Sequence, residues 1–227
     1  LITNMPRYNS ELEKYYQQQF TVELNNRLQS QFTANEFMPT APGSKALQAL
    51  YIAENPNPSG SKQNLDSAPD GSAYSNVHAK YHPMLRNIME KNGWRDLYIV
   101  DTLADSVIYS VGKRIDFGTS MEDGPFKDTG LAKAYRLAKA AKQGEVAMVD
   151  FESYIPADGA QALFMATPIF IDGSLEGVIV IQIPNNEINR VMTSEKKWAS
   201  IGFGSTGETY LVGNDGTLRS ETRTMIE

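Results

Sequence analysis

One strand pattern occurs twice in this chain, and the repeat constrains the fold more than any other feature. Residues 96–109 read DLYIVDTLADSVIY: an apolar run, a short polar turn and a second apolar run. Residues 208–220 read ETYLVGNDGTLRS, with the same order around an Asn-Asp-Gly turn. Self-similarity of this kind predicts two modules of one type in tandem. A long continuation follows the first hairpin up to Pro184 and only a short one follows the second. We therefore expect one complete module and the opening of another, within a longer protein.

Composition and charge narrow the functional classes. The chain has 227 residues, 41% of them hydrophobic and 21% charged, which is typical of a folded domain. A net charge of −6 argues against nucleic acid as a partner, because nucleic-acid binding needs a basic face. The chain has no cysteine, which excludes disulfides and thiolate metal sites. No apolar run reaches the roughly 18–20 residues of a membrane span.

An apolar stripe near the N-terminus predicts a long helix. Its members recur mostly at steps of four: Tyr8, Leu12, Tyr15, Tyr16, Phe20, Leu24, Leu28 and Phe32. This spacing is typical of an amphipathic helix over residues 8–32. Each step of four gains about 40° on a period of 3.6 residues, so the stripe should wind around the helix. We expect the helix to contact different partners along its length.

The remaining pattern predicts an antiparallel α+β module. Helices are predicted at 45–54, 75–92, 129–142 and 185–192, and strands at 96–101, 106–112, 145–154, 162–171 and 176–183. Pro83 should break or kink its helix, and Asp172-Gly173 should turn a hairpin. Residues 55–72, rich in Pro, Gly and Ser, predict a long irregular loop, which is usually functional or mobile. The order of elements favours a sheet with helices on one face and not a nucleotide-binding βαβ fold.

No familiar catalytic motif is present. The chain lacks a P-loop, a GxGxxG after a strand, an HExxH and a GxSxG. His78 and His82 have the i, i+4 spacing that can hold a metal, although such a pair more often packs or lies at the surface. We predict no catalytic residue, no metal site and no cofactor, and so a domain that is not an enzyme.

Polar residues near predicted strand ends are candidates for a binding site. Tyr109, Lys113 and Asp116 follow the first hairpin, and Asp150 and Tyr154 lie in a later strand. A carboxylate and tyrosines beneath a loop can line a small-ligand pocket. The alternative is that Asp150 and Lys113 satisfy backbone groups or each other at the sheet edge. Both interpretations stay open from the residues alone.

Several stretches resemble a known family of sensor domains. They are YIAENPNPSG (51–60), YSNVHAKYHPMLRNIMEKNGWRDLYIVD (74–101), VIYSVGKRIDFGTSMEDGPF (107–126), VDFESYIPADGAQALFMATPIF (149–170) and GETYLVGNDGTLRSETR (207–223). Together they resemble the double Cache region, also called tandem PAS-like or PDC, of bacterial transmembrane receptors. Such regions occur in sensor histidine kinases, chemoreceptors and receptor cyclases. The resemblance covers the chain from about Lys45 onward.

The resemblance implies a layout and a location. Residues 1–44 correspond to a signalling helix and linker, 45–184 to a membrane-distal module, and 185–227 to a linking helix and the start of a membrane-proximal module. The implied fold is α+β, with a long N-terminal helix before tandem modules that have central antiparallel sheets, the second incomplete. The implied location is the periplasmic part of an inner-membrane protein, anchored by spans absent from this chain. A homodimer is expected in the full receptor.

The resemblance also implies a small-molecule site in the distal module. The positions that correspond by location are Trp94, Tyr98, Tyr109, Lys113, Asp116, Thr119, Asp150 and Tyr154. Many relatives that bind amino acids carry an Arg-x-Trp-Tyr-type motif, whereas this chain reads GPFKDTGLAKAY at 124–135. A carboxylate, another small polar metabolite and no direct ligand all stay open.

These observations lead to one functional prediction with three alternatives. We predict an extracytoplasmic ligand-sensing domain of a two-component sensor histidine kinase, with occupancy relayed through the long helix. The alternatives are a chemoreceptor sensor domain, a periplasmic solute- or partner-binding module without transmembrane output, and a small-molecule enzyme that uses Asp150 and a histidine.

Overall fold

A five-stranded antiparallel sheet with helices against it forms the body of the protein, in a computed structural model that describes residues 4–226. The α-helices are α1 (Met5–Tyr15), α2 (Thr21–Leu28), α3 (Pro42–Gln48), α4 (Ala73–Lys91), α5 (Gly130–Lys139), α6 (Asn185–Met192) and α7 (Arg223–Ile226). The strands are β1 (Asp96–Asp101), β2 (Val107–Ser110), β3 (Ala147–Tyr154), β4 (Ala160–Ile171) and β5 (Ser174–Pro184). The predicted α+β class is confirmed.

The strand order is β2-β1-β5-β4-β3. Asp172 and Gly173 both have positive φ, at 50° and 83°, as the tight turn between β4 and β5 requires. Because successive side chains point to opposite faces, β1 contributes Tyr98 to the main core and Leu97 to a smaller cluster on the other face. Helix α5 and the N-terminal helix pack on the first face, and α4 packs against the second. The expectation of helices on one face only was wrong.

The N-terminal helix, residues 5–28, differs from the predicted helix at both ends and in its middle. It begins at Met5 and ends at Leu28, and its central residues Tyr16–Phe20 form a π-helical segment. A π segment takes up an extra residue in its wider turn, which offsets the drift of a stripe spaced by four. The buried side chains of the stripe, which are those of Tyr8, Leu12, Tyr16, Phe20 and Leu24, therefore all join one core. Within this core the helix contacts different partners along its length, as expected: Glu54 near its start, Gln48 at its middle and Asp158 near its end.

Helix α4 runs without a break through Pro83, contrary to the expected interruption. Its start is capped by Ser72, whose side chain accepts a hydrogen bond from the Ser75 amide at 3.1 Å, as such residues commonly do. His82, the residue directly before Pro83, is held by hydrogen bonds on both ring nitrogens. These tertiary contacts hold the helix where the proline removes one backbone hydrogen bond.

The predicted second hairpin is reduced to a single bridge. Within the described part of 208–220, Val212 and Leu218 form an isolated antiparallel bridge around a turn in which Gly216 has φ of 78°. No strand forms there in the residues that the structure describes. The division of the chain at 184/185 stays a prediction. None of the helices in residues 4–226 is long and apolar enough to cross a membrane.

Candidate functional site

A cavity of about 210 Å³ lies where the N-terminal helix, the 55–72 loop and the sheet meet. The helix contributes Tyr15 and Phe20, the loop contributes Lys62, and the residues around β1 and β2 contribute Trp94 and Lys113. A water molecule occupies about 30 Å³ in the liquid, so the space corresponds to roughly seven waters. The cavity therefore suits a small metabolite.

The charge of the cavity wall is opposite in sign to that of the chain. Its charged residues are Glu23, Lys62, Arg95, Lys113, Arg114 and Asp158. Lys62, Arg95 and Arg114 are cations, Lys113 with a pKa of about 7 is partly protonated at neutral pH, and two are carboxylates, which leaves an excess of one to two positive charges in a chain of net charge −6. A cleft lined by one sign of charge concentrates ligands of the other sign. The wall thus favours anionic ligands.

Lys113 places its ammonium inside an aromatic cage. Its Nζ lies 4.5 Å from the ring centroid of Tyr109, 5.0 Å from that of Phe117 and 5.6 Å from that of Tyr51, within the range of cation–π attraction. It also donates a hydrogen bond to the carbonyl of Ser110. The residue has φ of 52°, in the left-handed region. Burial lowers the pKa of Lys113 to about 7, against the opposing influence of the Asp96 carboxylate.

Asp116, which precedes the cage residue Phe117 in the sequence, is fully buried and forms no ion pair with any residue in the range 4–226. Its Oδ2 accepts a hydrogen bond from the Tyr154 hydroxyl at 2.6 Å, and Thr119 Oγ1 donates to its backbone carbonyl at 2.7 Å. Its Oδ1 is buried with no hydrogen-bond partner among the described residues. Burial raises the pKa of Asp116 to about 7, and the nearby Asp96 carboxylate adds to the effect. A carboxyl in this setting is readily protonated near neutral pH.

Asp96, at the start of β1, is a buried carboxylate that sequence reasoning missed. Its Oδ1 accepts three backbone hydrogen bonds, from Leu97 at 2.7 Å, Gly112 at 2.8 Å and Val111 at 3.0 Å. A Cβ on Gly112 would lie 2.5 Å from Asp96 Oδ2, so this close approach requires glycine. Burial raises the pKa of Asp96 above its usual range in spite of these donors. Asp96 thus fixes the segment that leads to Lys113.

The two histidines connect α4 to the 55–72 loop and to β2. His82 Nε2 lies 2.6 Å from the Gln63 carbonyl and its Nδ1 2.7 Å from the Tyr109 hydroxyl, while His78 Nδ1 lies 2.7 Å from the Asp66 carbonyl. Burial lowers the pKa of His82 to about 4 and that of His78 to about 3. Both rings are therefore neutral at pH 7. Their role in this arrangement is to hold the loop that walls the cavity.

The eight residues predicted to bind a ligand fall into three groups. Trp94 and Lys113 line the cavity. Buried near it or in the adjoining core are Tyr98, Tyr109, Asp116, Thr119 and Tyr154; Thr119 also lines a separate groove. Asp150 does not join the others: its exposed carboxylate on β3 lies 2.9 Å from the guanidinium of Arg219. That these residues bind a ligand stays a prediction.

Three cationic residues of the wall were not found from the sequence: Lys62, Arg95 and Arg114. Arg95 stands between Trp94 and the first strand, and Lys62 lies in a loop of otherwise small, polar residues. A charged residue next to an aromatic one just before a strand is a signal that could have identified Arg95. The loop position of Lys62 gives no such signal.

Replacing Asp150 with alanine tests whether the exposed carboxylate belongs to the site. We expect ligand binding in the cavity to be unchanged and the free energy of unfolding to fall by less than about 1 kcal/mol, because exposed ion pairs contribute little. Calorimetric titration and urea unfolding of Asp150→Ala would measure the two effects. A fivefold or larger loss of affinity would instead place Asp150 at the binding site.

Comparisons with known proteins add a likeness in fold. No protein-family model and no curated protein matches the chain. The ligand-binding domain of the Pseudomonas aeruginosa amino acid chemoreceptor PctC is similar at 17% identity and TM-score 0.44, over 72% of this chain and 62% of that one. The sensor domain of the V. cholerae histidine kinase DctB is similar at 14% identity and TM-score 0.40, over 83% and 59%. A Campylobacter jejuni chemoreceptor domain is similar at 12% identity and TM-score 0.46, over 99% and 74%.

All three structures are sensor or ligand-binding domains of bacterial receptors, the kind of domain that the sequence resembles. The chain spans about 60% of the length of the first two. The identities of all three lie below 20%.

Proposed function

We propose that the chain is the extracytoplasmic ligand-sensing domain of a bacterial transmembrane receptor, a two-component sensor histidine kinase. In this proposal the domain lies in the periplasm, acts as a homodimer in the full receptor, and binds a small polar molecule reversibly. The binding site is the cavity between the N-terminal helix, the 55–72 loop and the sheet. The double Cache-like stretches of the sequence support the class of protein, and the cavity supports the activity.

One observation carries the proposal: the N-terminal helix forms part of the cavity wall. Tyr15, Phe20 and Glu23 face the same space as Lys113 and Arg114 beyond the sheet edge. A ligand in this space contacts the helix and the sheet together. Because a ligand shifts an equilibrium only by its differential affinity for the two states, contacts on both sides of the cavity are what a relay requires.

In this proposal the conformational change that relays ligand occupancy occurs at the π-helical segment Tyr16–Phe20. This segment lies within the wall-forming stretch of the helix, where Phe20 lines the cavity. Segments of this kind occur frequently at functional sites and depart from the regular α-helical hydrogen-bond pattern. A change in register at this segment would rotate one part of the helix relative to the other. The rotation would reach a membrane span outside this chain.

A thermal-shift screen with small metabolites tests the proposal. A ligand at 100 times its Kd should add about 2.7 kcal/mol to the free energy of unfolding. Ser59, in the exposed loop, lines the cavity, so Ser59→Trp should fill its mouth and abolish the shift. Asn64→Trp is the matched control, because Asn64 is exposed in the same loop and does not line the cavity.

Two results would contradict the proposal. One is a broad screen in which no compound stabilises the protein. The other is a set of stabilising compounds whose effect survives Ser59→Trp, because they would bind elsewhere.

A further inference from the structure

Arg95 is a cation in the cavity wall without an acceptor of its own. Its guanidinium makes no hydrogen bond and no ion pair with any residue in the range 4–226. By contrast, Arg114 in the same wall donates to the Pro156 carbonyl at 2.9 Å and lies 3.7 Å from the Asp158 carboxylate. A guanidinium offers five donors in a planar fork that matches a carboxylate. The guanidinium of Arg95 is therefore available to bind a carboxylate of a ligand.

Lys62 is a second cation without a carboxylate partner. It is 8% exposed, and its Nζ donates to the carbonyls of Ile52 at 2.7 Å and Asn57 at 3.4 Å. No carboxylate of the described residues lies within ion-pair distance of it. Burying a charge without an opposite charge is costly. An anion in the cavity would offset that cost.

The carboxylates of the wall do not supply this balance. Asp158 is already paired with Arg27 at 2.8 Å, besides its contact with Arg114. Glu23 is the other acidic residue of the wall and is exposed to solvent. Burial lowers the pKa of Lys62, and Glu23 opposes this only in part, without forming an ion pair with it. The excess of one to two positive charges therefore remains in the cavity wall.

The adjoining aromatic cage disfavours ligands that carry an amino group. In proteins, such cages of aromatic faces bind ammonium groups. Here the cage of Tyr51, Tyr109 and Phe117 already contains the ammonium of Lys113. A ligand ammonium would meet a filled cage and a positively charged wall.

We propose that the cavity binds a small carboxylate that lacks an amino group, with its carboxylate held by the Arg95 guanidinium and its charge balanced by Lys62. This assignment rests on the proposed sensing function and names the ligand class for the same site. Charge-assisted, bidentate pairs of arginine and carboxylate are stronger and more directional than neutral hydrogen bonds. Such a contact would discriminate acids from their amides.

Isothermal titration calorimetry with two matched sets of compounds tests this assignment. The sets are propionate, propionamide and alanine, and glutarate, glutaramide and glutamate. We expect at least one acid to bind about tenfold or more tightly than both its amide and its amino-acid counterpart. Arg95→Gln should weaken the binding of that acid about tenfold or more, and Lys62→Met should weaken it as well. Arg7→Gln is the matched control, because Arg7 is exposed and does not line the cavity, and it should leave affinity unchanged.

Circular dichroism of each variant checks that it folds. If Arg95→Gln does not fold, Lys62→Met provides a second variant that tests the assignment. An amide or amino acid that binds as tightly as its acid would overturn the assignment, as would an acid whose affinity is unchanged in Arg95→Gln and Lys62→Met. If neither acid binds but other compounds bind in the cavity and are blocked by Ser59→Trp, the assignment fails while the sensing function stands. If no compound of any class binds, the sensing function fails as well.

Discussion

Phe164→Ala is expected to lower the free energy of unfolding by about 3–5 kcal/mol, the usual cost of removing a fully buried aromatic ring. Phe164 lies on β4 with no solvent exposure. Its ring packs edge to face on Tyr154 with centroids 5.0 Å apart. It also closes the space above Gly130, where an added Cβ would meet the ring at 2.9 Å. Alanine would leave a cavity between the sheet and α5 that the fixed backbone cannot fill.

Urea unfolding followed by circular dichroism would measure this loss. Ile171→Ala is the control, because Ile171 ends the same strand and is mostly exposed, and it should cost less than about 1 kcal/mol. Equal effects of the two substitutions would show that the core does not lie between β4 and α5.

Asp116→Asn is expected to stabilise the protein at alkaline pH by about 2 kcal/mol. Burial raises the pKa of Asp116 to about 7, from an ordinary carboxyl value near 3.9. The stability contributed by this group is therefore fully present near pH 4 and is lost as the pH rises to about 7. Three pKa units correspond to roughly 4 kcal/mol. A buried amide N–H without an acceptor would take back about 1–3 kcal/mol of that gain.

Unfolding measured in urea at pH 4, 6 and 8 gives the sign of the effect. The difference between Asp116→Asn and the natural protein should grow from pH 4 to pH 8 and favour the variant. Asp128→Asn makes the same chemical change at an exposed position and should show a difference within about 0.5 kcal/mol at every pH. A stabilisation that is independent of pH, or a loss of stability at pH 8, would show that the pKa of Asp116 is not raised in the folded protein.

The sheet was predictable because its signals are local. Alternating apolar residues and Asp172-Gly173 predict β4, β5 and their turn, and the structure has both strands. The hairpin at 208–220 has the same local signals, yet only one bridge forms among its described residues. A two-stranded hairpin alone is marginally stable. Neighbouring strands and a covering helix, which the local pattern does not reveal, determine whether such a segment becomes a sheet.

The N-terminal helix shows the limit of periodicity. Steps of four predict a winding stripe, but the π segment at Tyr16–Phe20 keeps the stripe on one core. The Tyr16 hydroxyl donates a hydrogen bond to the Gln48 side chain at 2.7 Å, and this contact helps to hold the π segment against the core. That contact joins residues 32 positions apart, so no window of the helix sequence contains it.

The candidate site was predictable only in part, because some of its residues are recognised only by their contacts in the folded protein. Lys113 was found because it follows the predicted first hairpin, and Trp94 was found from the resemblance to the sensor family. Lys62 and Arg95 matter because they lack carboxylate partners, and a missing partner cannot be read from a pattern. Asp150 was included from its strand, but a register shift between β3 and β4 follows Val149, so simple alternation does not give its surroundings.

Hydrogen–deuterium exchange of residues 5–28 tests the central claim most directly. Exchange would be compared between the free protein and the protein with the tightest-binding compound of the screen at 100 times its Kd. We predict that exchange in the peptide containing Tyr16–Phe20 slows by about threefold or more, since ligand contacts reduce local opening. Protection confined to the 55–72 loop, with the helix unchanged, would contradict the claim that ligand occupancy is relayed through the helix.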